Sequence, residues 1–178
     1  MDQKISSKTF FAIYPDIVRE AIFDETNNYR YTLRRHWKNG GKKLVNFILL
    51  NPSTADAKID DPTIRACMQI ADNWGYDGIV VTNLFAYRAT KPTDLKKQKN
   101  PIGEKNNEWI KKCALEAPLT VVAWGNHGLF QNRGQEVVKL LAGKQLHCLE
   151  VLKNGCPRHP LYVRRKTEPV VFDATNLF

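Results

Sequence analysis

Residues 44–50 read LVNFILL and are apolar at every position but Asn46; the run then stops at Asn51-Pro52-Ser53-Thr54, an amide, a proline and two hydroxyls. A strand with apolar side chains on both faces must be covered on both, which is the situation of a parallel strand inside an α/β sheet. Two further runs have this shape: 78–83, GIVVTN, which closes on Asn83, and 119–124, LTVVAW, which closes on Gly-Asn-His-Gly. A fourth, 145–152, QLHCLEVL, is less regular. Helical patterns lie between them. In 60–75 either Asp60 or Asp61 can cap, Pro62 suits a first turn, Ile64, Cys67, Met68 and Ala71 share a face, and Gly75 ends the helix. Segments 106–117 and 132–143 supply two more helices. Strand and helix in alternation predict an α/β fold, with three layers (α/β/α) and a central four-stranded parallel sheet.

Upstream, 29–37, YRYTLRRHW, alternates aromatic and β-branched residues with cations, and Asn39-Gly40-Gly41 supplies turn residues. An N-terminal β-hairpin over about 28–50 is expected, its second arm being the first core strand. Segment 88–106 reads as a long basic loop, and 168–173, EPVVFD, as an edge strand or a tail. One domain over 1–178, with a core at about 44–165, suits a chain of this length.

No segment approaches 18 uninterrupted apolar residues, and the first residues do not have the pattern of a secretory leader. A cytoplasmic monomer without membrane contact is the expectation. Cys67, Cys113, Cys148 and Cys156 are spread out with no CxxC pair, which favours buried free thiols over a metal or cluster. Lys and Arg outnumber Asp and Glu by 27 to 18, a formal charge of +9, which favours a polyanionic partner such as a phosphate backbone.

In doubly wound sheets the working crevice lies beyond the carboxyl ends of the strands. That rule gathers 51–56 (NPSTAD), 83–90 (NLFAYRAT), 125–128 (GNHG) and 156–160 (CPRHP) on one rim. The P-loop, dinucleotide and nucleophile-elbow signatures have no counterpart in the chain.

The order of these rim motifs resembles the uracil-DNA glycosylase superfamily. There the first core strand ends in a G-x-N-P-G or G-x-D-P pattern, the second carries a base-recognising Asn, the third reads I-x-x-x-G, and a late loop holds H-P-S. The counterparts here are Leu50-Asn51-Pro52-Ser53, Thr82-Asn83-Leu84-Phe85-Ala86-Tyr87-Arg88, Val121-Val122-Ala123-Trp124-Gly125 and His159-Pro160-Leu161. Ser53 replaces the Gly after Asn-Pro, and Leu161 the Ser after His-Pro. The run LLNPSTAD…DDPTIRAC…VTNLFAYRAT is also similar, and more closely, to a bacterial and phage family known as a domain of unknown function. Together the two resemblances span roughly residues 44–165.

The superfamily resemblance implies hydrolysis of the N-glycosidic bond of an altered or modified base flipped out of DNA, in base excision repair or antiviral defence, without a cofactor. Such a reaction needs a positioned water, negative charge near the sugar and a donor at the departing base. Asn51 would orient the water through its carbonyl, Asp56 would supply the carboxylate ahead of Asp60 or Asp61, and His159 would donate to the base. Asn83 would read the base edge with Ser53 beside it, and Tyr87, Phe85 or Trp74 would stack on it. Arg88, Lys91, Arg158, Arg164 and Arg165 would grip DNA phosphates, with Lys96, Lys97 and Lys99 nearby. Two alternatives remain: a nucleic-acid-binding module on the same fold that does not cleave, and a hydrolase of free nucleosides or nucleotides.

Overall fold

The structure, a computed structural model, describes residues 7–38 and 41–177. Helix α1 (Ser7–Ile13) precedes strands β1 (Val18–Phe23), β2 (Arg30–His36) and β3 (Leu44–Leu49). There follow α2 (Pro62–Asn73), β4 (Gly78–Asn83), α3 (Pro92–Lys96), α4 (Asn106–Glu116) and β5 (Leu119–Val122). Helix α5 (Arg133–Leu140) and the two-residue strands β6 (His147–Cys148) and β7 (Val170–Val171) complete the order.

The sheet has seven strands in the order β1-β2-β4-β3-β5-β6-β7. Its centre, β4-β3-β5-β6, is parallel. The sheet as a whole is mixed, and this corrects the expectation of a four-stranded parallel one. Antiparallel strands close both of its margins, β2 on β4 with Leu33 opposite Val81, and β7 on β6 with Cys148 opposite Val170. The added strands take up hydrogen-bonding groups that a parallel edge leaves open.

The predicted hairpin is also corrected. Strand β2 pairs with β1 and β4, whereas both edges of β3 are occupied by parallel partners, so the two arms expected to face each other are separated by β4. The real hairpin is β1–β2, with Ile22 opposite Thr32 and Val18 opposite His36. Asn39 and Gly40 of the expected turn lie outside the described residues. Within the segment read as a basic loop, Pro92–Lys96 forms a short helix.

Two cores flank the sheet. On one face Leu33, Val45, Phe47, Leu49, Ile79 and Val81 pack with Ile64, Cys67, Met68 and Ala71 of α2 and Phe10 of α1. On the other, Ile48, Leu84, Val122 and Trp124 meet Ile110 and Ala114 of α4 and Val137 of α5. Alternate residues of β3 therefore feed different cores, which explains the continuous apolar run. Each large apolar side chain buried this way contributes roughly 1.5–3 kcal/mol before chain entropy is counted. The connection through α2 carries the chain to β4 on one side of β3, and the connection through α4 returns it to β5 on the other. A crevice opens at such a reversal.

Candidate functional site

A cleft of about 490 Å³ lies at that reversal. Its walls come from the end of β3 (Leu50, Asn51, Ser53), the end of β4 (Asn83), the end of β5 (Trp124, Gly125) and His159 from the late loop. The four rim segments predicted from the sequence thus meet in one cavity.

Asn51 is fixed by its own hydrogen bonds. Its Nδ2 donates to the Pro52 carbonyl at 2.9 Å and to the Ala89 carbonyl at 2.7 Å. Both partners can only accept, so the amide orientation is set by chemistry and Oδ1 is the atom left for a ligand. Asn83 is almost fully buried, and neither Nδ2 nor Oδ1 has a hydrogen-bond partner among the described residues. A buried amide with both ends unsatisfied in a cleft wall is costly unless something in the cleft completes it.

His159 is half-buried and precedes a short turn, Pro160–Tyr162. Its Nδ1 accepts from the Leu161 backbone N–H at 3.3 Å, which leaves Nε2 as the protonated nitrogen of a neutral ring. Burial pushes its pKa below the usual histidine value, while Asp61 partly offsets that shift. Gly125 packs beside His159 at φ 72°, and a Cβ there would make only ordinary contact, 3.7 Å from the His159 Cβ.

Asp61 caps α2, accepting from the Ile64 N–H at 2.9 Å, and lines the cleft. The other two candidate carboxylates are engaged elsewhere. Asp56 Oδ1 accepts from the Lys58 and Ile59 backbones at 2.7 and 2.8 Å, bonds that hold its pKa below the usual range, and it is not among the lining residues. Asp60 is buried in ion pairs with Arg35 at 2.6 Å and Arg19 at 3.1 Å.

Ser53 lines the cleft. Phe85 and Tyr87 do not: Phe85 is fully buried against Phe130, and Tyr87 packs edge-on against Tyr29. Trp74 stacks on Phe47 in the core. Apart from the buried Trp124, the exposed aromatic at the cleft is Tyr162, 72% exposed, its ring centroid 5.8 Å from that of His159. Its position three residues beyond His159 was the available sequence signal.

The cations divide. Lys91 and Arg164 are exposed. Arg158 is paired with Glu150 at 2.7 Å, and Arg88 donates to the Asn27 carbonyl at 3.2 Å and lies over the Phe23 ring. Arg165 braces the late loop, donating to the Pro160 and Val163 carbonyls at 3.0 and 3.1 Å and to Gln69 at 3.3 Å. Arg30, which strand alternation did not single out, is buried in the cleft wall.

All four cysteines are buried free thiols whose pKa values are raised by burial, the state of inert core residues. Among the described residues no cluster of His, Cys, Asp and Glu could hold a metal ion, and no helix is long and apolar enough to cross a membrane. No curated protein and no solved structure matches the chain. Residues 30–161, which include every residue of the cleft wall named above but Tyr162, match the family described as Protein of unknown function (DUF1643). With most of its length inside that match, the chain belongs to the DUF1643 family.

Proposed function

We propose that this protein is a monofunctional DNA glycosylase, built on a three-layer fold of the uracil-DNA glycosylase kind, that hydrolyses the bond between deoxyribose and an altered base. The observation that carries this is Asn51, whose Nδ2 is held by two carbonyls so that Oδ1 is free to orient a water. An amide cannot act as a true general base, but departure of a base as an anion asks little of the nucleophile when the sugar already has oxocarbenium character.

The other groups suit the remaining demands. The neutral His159 ring carries its proton on Nε2, where it can donate to the departing base. Asn83 offers an unsatisfied donor and acceptor to the edge of an extruded pyrimidine-like ring. Asp61, rather than Asp56, is the carboxylate that lines the cleft and can stabilise positive charge at the sugar. Tyr162 supplies a ring face at the mouth. The net charge of +9 suits a phosphate backbone, and repair and antiviral defence are the two settings for such an activity.

The test is mass spectrometry of bases released from uracil-containing and hypermodified phage DNAs by wild-type protein and Asn51→Ala. Release of one base by the wild type alone is the expected result. If no DNA in a broad panel loses a base while the protein still binds DNA, a binding module replaces the enzyme.

A further inference from the structure

The buried arginines of this molecule are not alike. Arg35 is paired with Asp60 at 2.6 Å, and Arg133 with Glu136 at 3.2 Å. Arg30 is 2% exposed, yet among the described residues no carboxylate lies within ion-pair distance of it. Its Nη1 donates to the Ala55 carbonyl at 2.6 Å, and its Nε has no partner. The guanidinium edge formed by Nε and Nη2 is the edge that takes two oxygens of one anion through parallel hydrogen bonds. In Arg30 that edge is unused by the protein, and the residue belongs to the cleft wall beside Asn51 and Ser53.

The surroundings favour an anion. Burial lowers the Arg30 pKa to about 10, the charge of Asp61 offsets part of the shift, and Arg35 and Arg88 add to it. The guanidinium is therefore still charged at neutral pH and buried without a direct ion-pair partner, Asp61 and Asp56 acting on it only from a distance, a state relieved when an anion binds. The hydroxyl-bearing residues Ser53 and Thr63 line the same cleft, Thr63 with Ile64 from the first turn of the 12-residue helix α2. A carboxylate would use only the arginine edge, whereas a phosphate has further oxygens for those donors.

We propose that Arg30 is the phosphate receptor of the cleft, its Nε–Nη2 edge holding two oxygens of a nucleotide phosphate while the nucleoside part faces Asn51, Asn83 and His159. The assignment rests on the nucleic-acid reading above for its choice of nucleotide and on no step of the reaction. The phosphate is either a backbone diester of DNA or the monoester of a free nucleotide, and both present the same oxygens.

Calorimetric titration of deoxyuridine, its 5′-monophosphate and a short uracil-containing single strand into the wild-type protein tests this, with the Arg30 Nε–H resonance followed in parallel. The phosphorylated ligands should bind at least about tenfold more tightly than deoxyuridine. Inorganic phosphate should shift the Nε–H resonance, deoxyuridine should not, and Asp61→Asn should tighten phosphate binding by removing a nearby negative charge. Arg30→Gln should erase the margin between nucleotide and nucleoside, and Arg30→Lys should restore part of it. Equal affinity for nucleoside and nucleotide, or an Nε–H resonance indifferent to phosphate, overturns the assignment. Both readings come from the wild type, so a variant that fails to fold does not blunt the test. A stronger grip on the monophosphate identifies a free nucleotide, and a stronger grip on the strand identifies the DNA backbone. Base release from DNA is read separately: its failure with the phosphate pattern intact removes the glycosylase and leaves Arg30 standing, and the converse removes only Arg30.

Discussion

Arg35 Nε donates to Asp60 Oδ1 at 2.6 Å, with the two side chains 0% and 4% exposed. The same guanidinium donates to the carbonyls of Asp56 and Ile59, so one buried cation on β2 holds the far end of the loop that begins at Asn51. Asp60→Ala would leave Arg35 buried beside no carboxylate. A loss of about 3–5 kcal/mol in urea unfolding is expected, as for other broken buried pairs. The exposed pair of Arg34 and Glu116 at 3.1 Å is the control, and its removal should cost less than about 1 kcal/mol.

Asn51→Ala removes the oriented Oδ1 and also the side-chain donor to the Pro52 and Ala89 carbonyls, of which Pro52 keeps the Ala89 backbone N–H at 2.9 Å. Base release should fall by about 10²–10³, the usual loss for one preorganised polar group in an active site. Binding of substrate DNA should stay within about threefold, because phosphate contacts dominate such affinity and the neutral Asn51 amide is not assigned one. A parallel loss of binding and release in single-turnover assays would instead make Asn51 a loop anchor.

These two cases mark what could be read in the sequence. Asn51 and Asn83 were legible because each ends a run whose apolar residues fill both faces of a parallel strand, and the topology rule then places such ends together. Strand β1 was not, since its residues alternate between exposed and half-buried and leave only a weak pattern. The pairing of β2 with β4 was hidden too, because alternation reveals faces but not neighbours. The burial of Arg30 and Arg35 was hidden for the same reason. The stacking candidates Phe85 and Tyr87 went astray because closeness in sequence to Asn83 does not decide which side of the strand end a ring leaves from.

The pH dependence follows from His159. Its pKa lies below the ordinary 6.5, burial being the largest cause, so the neutral ring is the main form at pH 7 and protonation gains ground only as the pH falls beneath that value. The sign is fixed by Nδ1, which accepts from the Leu161 N–H and loses that bond when protonated. The acid limb of kcat/KM for base release should therefore fall below pH 6.5, with no loss between pH 6.5 and 7.5. An NMR titration of the His159 ring should give the same midpoint. A midpoint above 6.5 would contradict the neutral donor.

Two glycines beside the cleft should respond differently to alanine. At Gly128 a Cβ would fall 2.0 Å from Trp124 Cδ1 and 2.4 Å from Nε1, so the buried indole must shift. Overpacking of this kind costs about 1–3 kcal/mol and here disturbs the cleft wall directly. At Gly125 there is space, with His159 Cβ at 3.7 Å, but φ is 72° and ψ −168°, a conformation open essentially to glycine alone, at about 1–3 kcal/mol for another residue. Thermal melts should register both, whereas near-ultraviolet dichroism of tryptophan should change much more for Gly128→Ala.

Asp61 has two functions that one pair of substitutions can separate. As the cap of α2 it accepts from Ile64 N–H, a bond that Asn can also make and Ala cannot. Asp61→Ala should lose about 0.5–2 kcal/mol of stability and Asp61→Asn only a few tenths. As a charge it acts on His159, raising a pKa that burial lowers, so its removal should move the His159 titration to still lower pH in both variants. If the carboxylate also stabilises the sugar cation, Asp61→Asn should reduce base release by about tenfold or more while unfolding stays near wild type. Asp56→Asn is the matched control, because its carboxylate is spent on the Lys58 and Ile59 backbones away from the cleft wall. Equal losses of base release from the two Asn variants would remove Asp61 from the chemistry and leave it as a helix cap.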